Sequence, residues 1–179
     1  MKLPSIINSF DSLKVLNAPL HLAIGVFDGV HLGHKAVIGP AVLASQKSGG
    51  VSAVLTFDPP PSRLFTPKEP TDLILPISVK ANVLQSMGVD IVIRKHFDRA
   101  YASTPATDFL ISLKKVLPTL AAVYVGSNFR FGKGRVGNVQ TLIKSAQALG
   151  LDVFSVDRLH FGGAPISSTR IRKELKKGS

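Results

Sequence analysis

The sequence predicts an α/β fold: a Rossmann-like, doubly wound parallel sheet of five strands with helices on both faces. Short apolar runs alternate with longer segments of helical periodicity, which is the pattern of parallel strands joined by crossover helices. The runs are nearly continuous in Val, Ile, Leu and Ala, as expected for strands that are covered on both faces. The chain has 179 residues, of which 45% are hydrophobic and 18% charged. This composition excludes a disordered chain, and the length predicts a single domain over residues 1–179.

The expected elements follow in order along the chain. Strands are expected at His21–Val26, Val51–Phe57, Asp90–Arg94, Ala121–Val125 and Asp152–Val156. Helices are expected at His31–Ser48, Val79–Met87, Ala106–Leu117 and Val139–Leu149. Gly49, Gly88 and Gly150 directly follow three of these helices, where glycine commonly stops a helix. Thr104-Pro105 and Asn138 are expected to cap the third and fourth helices. Residues 158–179 break the alternation and should end in a short helix that begins near Ser168.

The charge of the chain indicates an anionic ligand. The 22 Lys+Arg and 11 Asp+Glu residues give a formal net charge of +11, which suits a nucleotide, a nucleic acid, a phosphorylated metabolite or a membrane surface. The chain has no cysteine, and this excludes disulfides, thiolate nucleophiles, cysteine zinc sites and iron–sulfur clusters. The first twenty residues lack the features of a signal peptide, and no apolar stretch is long enough to span a bilayer. We therefore expect a cytoplasmic location.

The motif that follows the first strand is GVFDGVHLGH, residues 25–34. It opens the first helix, whose N-terminus offers unpaired N–H groups and a partial positive charge to a phosphate. His31 and His34 share a helix face, where two imidazoles could stabilise the charge that develops during in-line attack at phosphorus. The alternative is a pair of solvated histidines at a helix start. A zinc pair is disfavoured by the spacing, and neither the dinucleotide fingerprint nor the P-loop is matched.

This motif resembles the signature of the H-x-G-H nucleotidyltransferases, and specifically the FMN adenylyltransferase (FAD synthetase) domain of prokaryotic bifunctional riboflavin kinase/FMN adenylyltransferases. Three further stretches match that family in order: TFDPPPSRLF at 56–65, VGSNFRFGKGRVGN at 125–138 and ISSTRIR at 166–172. The resemblance implies transfer of the adenylyl group of ATP to FMN, giving FAD and pyrophosphate, with Mg²⁺ held mainly by phosphates. It implies no riboflavin kinase activity, since in the family the kinase domain would follow C-terminal to this chain.

The resemblance also assigns residues to two substrate sites. The implied catalytic pair is His31 and His34. The implied ATP-binding residues are Gly25, Phe27, Asp28, Gly29, His31, His34, Arg135, Ser168, Thr169 and Arg172. The implied FMN-binding residues are Phe57, Asp58, Pro59, Phe65, Asn128, Phe129 and Phe131. Asn128 is the side chain implied to approach Mg²⁺, although many family members have Asp at that position.

Each of these stretches also has a purely structural interpretation. Ser168 or Thr169 could be an ordinary N-cap. Phe129 and Phe131 alternate and could both extend into the core. The turn chemistry of 58–59 could account for the proline-rich segment.

The sequence leaves two other functions open. One is an H-x-G-H nucleotidyltransferase that acts on another phosphorylated metabolite, and the other is a basic RNA-binding or regulatory module on the same scaffold. The positive charge lies beside phosphate-site motifs and no RNA-binding aromatic signature is present. We therefore expect ATP and FMN as the partners, with no nucleic acid and no membrane.

Pro60 stands where the family commonly has histidine, which predicts weaker FMN binding or lower turnover.

Overall fold

The structure is a computed structural model, which describes residues 6–178. Its main feature is a parallel six-stranded sheet with the strand order β1-β4-β3-β2-β5-β6. The strands are β1 (Ile6–Ile7), β2 (Leu20–Ile24), β3 (Val51–Phe57), β4 (Ile91–Lys95), β5 (Leu120–Gly126) and β6 (Asp152–Val156). From β2 the chain winds outward to β3 and β4, and then returns to place β5 on the other side of β2. The direction of winding therefore reverses between β2 and β5.

Helices cover both faces of this sheet. They are α1 (Leu32–Ser48), α2 (Pro61–Phe65), α3 (Ile77–Ser86), α4 (Arg99–Ala102), α5 (Ala106–Val116), α6 (Val139–Leu149) and α7 (Ser168–Lys176). A short antiparallel hairpin of β7 (His160–Phe161) and β8 (Ala164–Pro165) precedes α7. Within residues 6–178, no helix is long and apolar enough to cross a membrane.

Two apolar layers hold the helices on the sheet, because alternate residues of each strand point to opposite faces. Leu22 of β2 lies in the layer that contains Leu110 of α5 and Leu142 of α6. The next residue, Ala23, lies in the opposite layer with Ile38 of α1. All these side chains are buried. The central strands are covered on both faces, as their continuous apolar sequences predicted.

The doubly wound α/β fold is confirmed, but the predicted count of five strands is wrong by one. The sixth strand, β1, consists of two residues that pair with Val92 and Ile93 of β4. Two residues cannot produce an apolar run, so no periodicity marks this strand. The five-residue α2, the four-residue α4 and the β7–β8 hairpin were missed for the same reason.

The predicted helix ends are confirmed where a specific cap closes the helix. Gly49 and Gly150 adopt the left-handed conformation at the ends of α1 and α6, and Asn138 accepts a hydrogen bond from the N–H of Thr141 at the start of α6. Thr104 is not the cap of α5, whose N-cap is a proline without a side-chain hydrogen bond. The cap of α7 is Ser167, not Ser168 or Thr169.

The loops that carry the sequence motifs gather at one edge of the sheet. The carboxyl ends of β2, β3 and β5 lie there because the strands are parallel, and the H-x-G-H turn, the proline-rich loop and the 127–138 loop follow those ends directly. In open parallel sheets, ligands bind at this edge beside the point where the winding reverses. The reversal between β2 and β5 therefore marks the region where a site is expected.

Candidate active site

The H-x-G-H histidines form the first turn of α1. His31 is the N-cap, and its Nδ1 accepts hydrogen bonds from the backbone N–H groups of Gly33 (3.0 Å) and His34 (3.3 Å). Nδ1 of His34 accepts one in return from the N–H of His31 (3.2 Å). The two rings stack with centroids 3.4 Å apart. Two imidazoles thus form a capping box of the kind that Ser or Thr and Glu usually make.

These hydrogen bonds fix the tautomer of both rings. A ring nitrogen that accepts an N–H carries no proton, so the proton of each neutral ring lies on Nε2. Burial lowers the pKa of His31. Burial and the nearby His31 and Lys80 lower the pKa of His34 to about 3, against an opposing contribution from Asp28. At neutral pH each ring is therefore uncharged and can donate one hydrogen bond, from Nε2, to a ligand.

The glycine between the histidines is required by this arrangement. A Cβ at position 33 would lie 2.9 Å from Cε1 of His31, because the imidazole folds back over the helix start. The turn before the helix is also unusual, since Phe27 and Val30 have φ angles of +52° and +42°. Such angles are rare in residues other than glycine and persist only where surrounding contacts hold them. Both side chains are buried, and Phe27 meets the His34 ring edge-on at 5.3 Å.

Asp28 lies within the same turn and is almost completely buried, with 2% of its surface exposed. Its carboxylate accepts hydrogen bonds from the backbone N–H groups of Ile74 (3.0 Å) and Leu75 (3.2 Å). Burial alone would raise the pKa of Asp28, but these hydrogen bonds and the guanidinium of Arg172 bring it below its ordinary value. The carboxylate therefore ties the loop before α3 to the H-x-G-H turn.

Helix α7 is fastened to the same turn by two side chains. Nη2 of Arg172 lies 2.6 Å from Oδ2 of Asp28, and its Nε donates to the carbonyl of Asp72 (2.7 Å). The hydroxyl of Ser168 donates to the carbonyl of Asp28 (2.7 Å). Thr169 is exposed at the first turn of the helix. The structure thus brings Asp28, Ser168 and Arg172 together beside the histidines, as expected, but their first contacts are with one another.

Sequence reasoning missed Lys80, a buried lysine on α3 with 4% of its surface exposed. Its Nζ donates hydrogen bonds to the carbonyl of Val26 (2.9 Å) and to Oγ1 of Thr56 (3.0 Å). Burial lowers the pKa of Lys80, and Asp28 and Asp58 oppose that effect. The signal that could have found this residue is its register, because position 80 lies three residues after Ile77 and four before Leu84 on the buried face of α3.

Four rings at or beyond the carboxyl ends of β3 and β4 form what we call the aromatic cluster: Phe57, Phe65, Phe97 and Tyr101. Phe97 meets Phe57 at 5.6 Å and Phe65 at 5.9 Å, both edge-on. Phe65 is 53% exposed, whereas burial raises the pKa of Tyr101 to about 12. An open cleft of about 580 Å³ adjoins the cluster, lined by Pro59 and residues 96–100 among others. Phe97 and Tyr101 were not predicted as site residues.

The proline-rich loop joins β3 to this cluster. Asp58 forms an ion pair with Arg94 of β4 (3.2 Å), and both side chains remain partly exposed. Pro60 is buried and is the N-cap of α2. The structure therefore brings the predicted residues Phe57, Asp58, Pro59 and Phe65 to one side of the sheet edge.

The loop after β5 lies on the other side of β2. Asn128 is exposed just beyond the strand end. Phe131 is only 6% exposed, packs against Phe109 at a centroid distance of 4.9 Å and belongs to the core. Phe129 stacks on Phe131 at 5.5 Å and is partly buried. Arg135 is exposed, and its side chain makes no ion pair or hydrogen bond within residues 6–178. Phe131 therefore extends into the core, as its purely structural interpretation predicted.

A protein-family model described as FAD synthetase matches residues 14–170. The bifunctional riboflavin kinase/FMN adenylyltransferase of Escherichia coli (strain K12) is 34% identical over 154 residues, which are 86% of this chain and 49% of that protein. Its Bacillus subtilis (strain 168) counterpart is 33% identical over 179 residues, 99% of this chain and 56% of that protein. The chain thus spans about half the length of the curated relatives it matches.

A solved structure supports the fold independently. The crystal structure described as a macrolide-efflux protein from Streptococcus pneumoniae superposes with a TM-score of 0.80 at 23% sequence identity, and the match covers 95% of this chain and 56% of the other. At this identity the similarity establishes the α/β fold alone.

Proposed function

Because this chain belongs to the FAD synthetase family, we propose that it transfers the adenylyl group of ATP to FMN, giving FAD and pyrophosphate. The observation that carries the proposal is the pair of stacked, neutral imidazoles at the start of α1, whose Nδ1 atoms are both engaged by backbone N–H groups. Two Nε2–H donors beside a helix N-terminus suit the oxygens of a phosphate chain.

The proposed reaction is an in-line displacement at phosphorus. A phosphate oxygen of FMN attacks the α-phosphorus of ATP, the bond from that phosphorus to the bridging oxygen of pyrophosphate breaks, and pyrophosphate leaves with the electron pair. A phosphate monoester has a second pKa of about 6, so the attacking oxygen needs no protein base at pH 7. What remains for the protein is to hold the reacting groups in line and to stabilise the developing charge. His31 and His34 act here as hydrogen-bond donors that keep their protons.

The proposed site for the ATP phosphates lies between the starts of α1 and α7. A Cβ at Gly33 would lie 4.0 Å from the carbonyl of Ile166, so the two helix starts are neighbours. Arg172 uses its Nε and one N–H of Nη2 in contacts with Asp72 and Asp28. Its Nη1 group keeps two N–H donors for a phosphate. The fixed position of Arg172 means that little side-chain ordering is needed when ATP binds.

The proposed flavin site is the cleft beside the aromatic cluster. Isoalloxazine is a flat, largely apolar ring system, and aromatic side chains bind such groups by offset stacking or edge contacts. Phe65 offers the most exposed ring of the cluster. Asn128 and Phe129 would approach the flavin from the β5 side. Phe131 would act from within the core, by supporting Phe129.

We propose Mg²⁺ as the metal, bound mainly by the phosphates of ATP. No group of three or more His, Cys, Asp or Glu residues that could hold a metal is found in the described part of the chain. Asn128 can supply one amide oxygen, which fits a Mg²⁺ ion that keeps phosphate and water as its other ligands. The ion would offset negative charge on the phosphates during the displacement.

Chromatographic detection of FAD is the direct test of the proposal. Purified protein with ATP, FMN and Mg²⁺ should form FAD and release pyrophosphate in equal amounts. Riboflavin in place of FMN should give no FAD by this reaction, because riboflavin lacks the phosphate oxygen that attacks the α-phosphorus of ATP. Absence of FAD from FMN would refute the function. Pyrophosphate release with a different phosphorylated acceptor would instead indicate another H-x-G-H transferase.

A further inference from the structure

Lys80 is a buried charged residue that has no role in the reaction proposed above. Its ammonium nitrogen, Oγ1 of Thr56 and the carbonyl of Val26 are joined by three hydrogen bonds, which link α3, β3 and the segment after β2. Nζ lies 2.9 Å from the carbonyl oxygen of Val26 and 3.0 Å from Oγ1 of Thr56. Oγ1 of Thr56 in turn donates to the same carbonyl at 2.8 Å. The carbonyl of Val26 thus accepts two hydrogen bonds from side chains of two different elements.

A purely structural residue at this position would not need a charge. The surrounding layer is apolar, with Ala81 and Leu84 buried on the same face of α3. A lysine is rarely buried to this extent, because removing its charge from water is costly. A methionine or leucine could fill the same space without that cost. The buried ammonium group of Lys80 therefore indicates a role that an apolar side chain cannot perform.

The position of Val26 indicates what that task is. Val26 directly precedes Phe27, the first of the two non-glycine residues with positive φ in the H-x-G-H turn. Such a backbone conformation is maintained only when neighbouring contacts determine it. Loss of the hydrogen bond to Val26 would let the turn relax, and the imidazoles at its end would move with it.

The charge has a second effect on the histidine pair. Burial is the largest cause of the lowered pKa of His34; the nearby His31 and Lys80 lower this pKa further, and Asp28 opposes them. The positive charge of Lys80 therefore adds to burial in keeping the ring of His34 neutral. Lys80 thereby helps to preserve the Nε2–H donor of His34.

We propose that Lys80 is a positioning residue for adenylyl transfer: its ammonium group holds the Val26 carbonyl and thereby fixes the H-x-G-H turn that carries His31 and His34. This inference rests on the proposed function. Lys80 itself is placed behind the turn and acts through it.

The test uses two substitutions and a matched control. Lys80→Met removes both the hydrogen bond and the charge, whereas Lys80→Gln keeps a donor for Val26 but removes the charge. Lys47→Met removes an exposed lysine from the last turn of α1. Each variant is compared with the wild-type chain by thermal unfolding, by kcat and KM for FAD formation, and by NMR of the histidine ring nitrogens in the ligand-free protein.

Lys80→Met should lower kcat on the order of 100-fold, as expected when reacting groups are displaced by about 1 Å, with a smaller change in the KM values. The rings of His31 and His34 should lose their uniform Nε2–H tautomers, and His34 should titrate at a higher pH. Lys80→Gln should restore the tautomers and part of kcat but not the low titration point of His34. Lys47→Met should match the wild type in every measurement.

Other outcomes would overturn the inference. If Lys80→Met folds with wild-type kcat and unchanged histidine tautomers, Lys80 does not position the turn. If both Lys80 variants lose only thermal stability, its role is structural. If Lys80→Met does not fold, the test is the titration of His34 in Lys80→Gln: a higher titration point than in the wild type supports the inference, and an unchanged one overturns it. If the wild-type protein forms no FAD, the proposed function fails, and the NMR measurements still show whether Lys80 controls the histidine pair.

Discussion

The imidazole of His31 has two roles, one at each ring nitrogen, and a substitution can separate them. Its Nδ1 caps α1 by accepting backbone N–H groups, while its Nε2–H remains for a ligand. Asparagine is among the best N-cap residues but places no donor where Nε2 lies. A substitution can therefore preserve the helix start and remove the group that the proposed reaction needs.

We predict that His31→Asn keeps the thermal stability of the protein but lowers kcat by about 100- to 1000-fold, the usual effect of losing one donor to a developing charge. His31→Ala should lose the same activity and also about 1 kcal/mol of stability, because the cap is lost. Measurements of FAD formation and of thermal unfolding check both statements. His160→Asn, at an exposed position of β7, is the control. Wild-type kcat in a folded His31→Asn variant would exclude the proposed catalytic role.

At the scale of elements, Asp28 connects three parts of the chain that are distant in sequence. Its buried carboxylate binds the backbone at 74–75 and the guanidinium of Arg172 on α7. The carboxylate is thus a structural centre for the site as well as a member of the H-x-G-H turn. Its pairing with Arg172 means that the proposed phosphate-binding arginine is oriented by the turn itself.

We predict that Asp28→Asn lowers the free energy of unfolding by about 2–3 kcal/mol, somewhat less than for a fully buried pair because Arg172 is partly exposed. It should also raise the KM for ATP, since α7 would lose its orientation. Asp72→Asn is the matched control, because the side chain of Asp72 forms an exposed ion pair with Lys176, whereas its backbone carbonyl holds Arg172. The control should change stability by no more than about 0.5 kcal/mol. Equal urea-unfolding midpoints for Asp28→Asn and wild type would contradict the prediction.

The elements that could be predicted from the sequence are those with strong local signals. The bounds of β3, β6 and α6 agree with the predicted ranges, because continuous apolar runs and specific caps mark them. The aromatic cluster was found only in part, since Phe97 and Tyr101 are brought to Phe57 by the pairing of β3 with β4 and not by any motif. Lys80 was missed because its burial depends on how α3 packs. Motifs thus predicted the residues at strand ends, and tertiary packing decided their contacts.

On the scale of the whole molecule, three histidines connect stability to pH. His21 lies far from the H-x-G-H turn, at the start of β2, where its ring contacts the hydroxyls of Tyr124 (3.0 Å) and Ser48 (3.1 Å). Burial lowers the pKa of His21, as it does for His31 and His34. The same covering of the sheet by helices that buries the core therefore also keeps these imidazoles uncharged.

The sign of the effect follows from proton binding. Above about pH 6.5 these histidines are neutral in both the folded and the unfolded chain. As the pH falls below that value, the unfolded chain binds protons that the folded protein does not, so the free energy of unfolding decreases. The decrease continues toward pH 3, where His34 titrates in the folded state. Asp28 adds to the loss at the acid end, because its pKa in the folded state lies below the ordinary value.

We predict that the free energy of unfolding falls between pH 7 and pH 5. The slope should correspond to on the order of one to two more protons bound by the unfolded chain than by the folded protein. Urea unfolding at half-unit steps of pH measures the slope. His21→Gln, which removes one buried imidazole at a distance from the proposed substrates, should make the slope shallower without lowering kcat. His160→Gln, at an exposed position, should leave the slope unchanged. A flat profile for the wild-type protein from pH 7 to pH 5 would show that the histidines titrate alike in both states and that burial does not lower their pKa values.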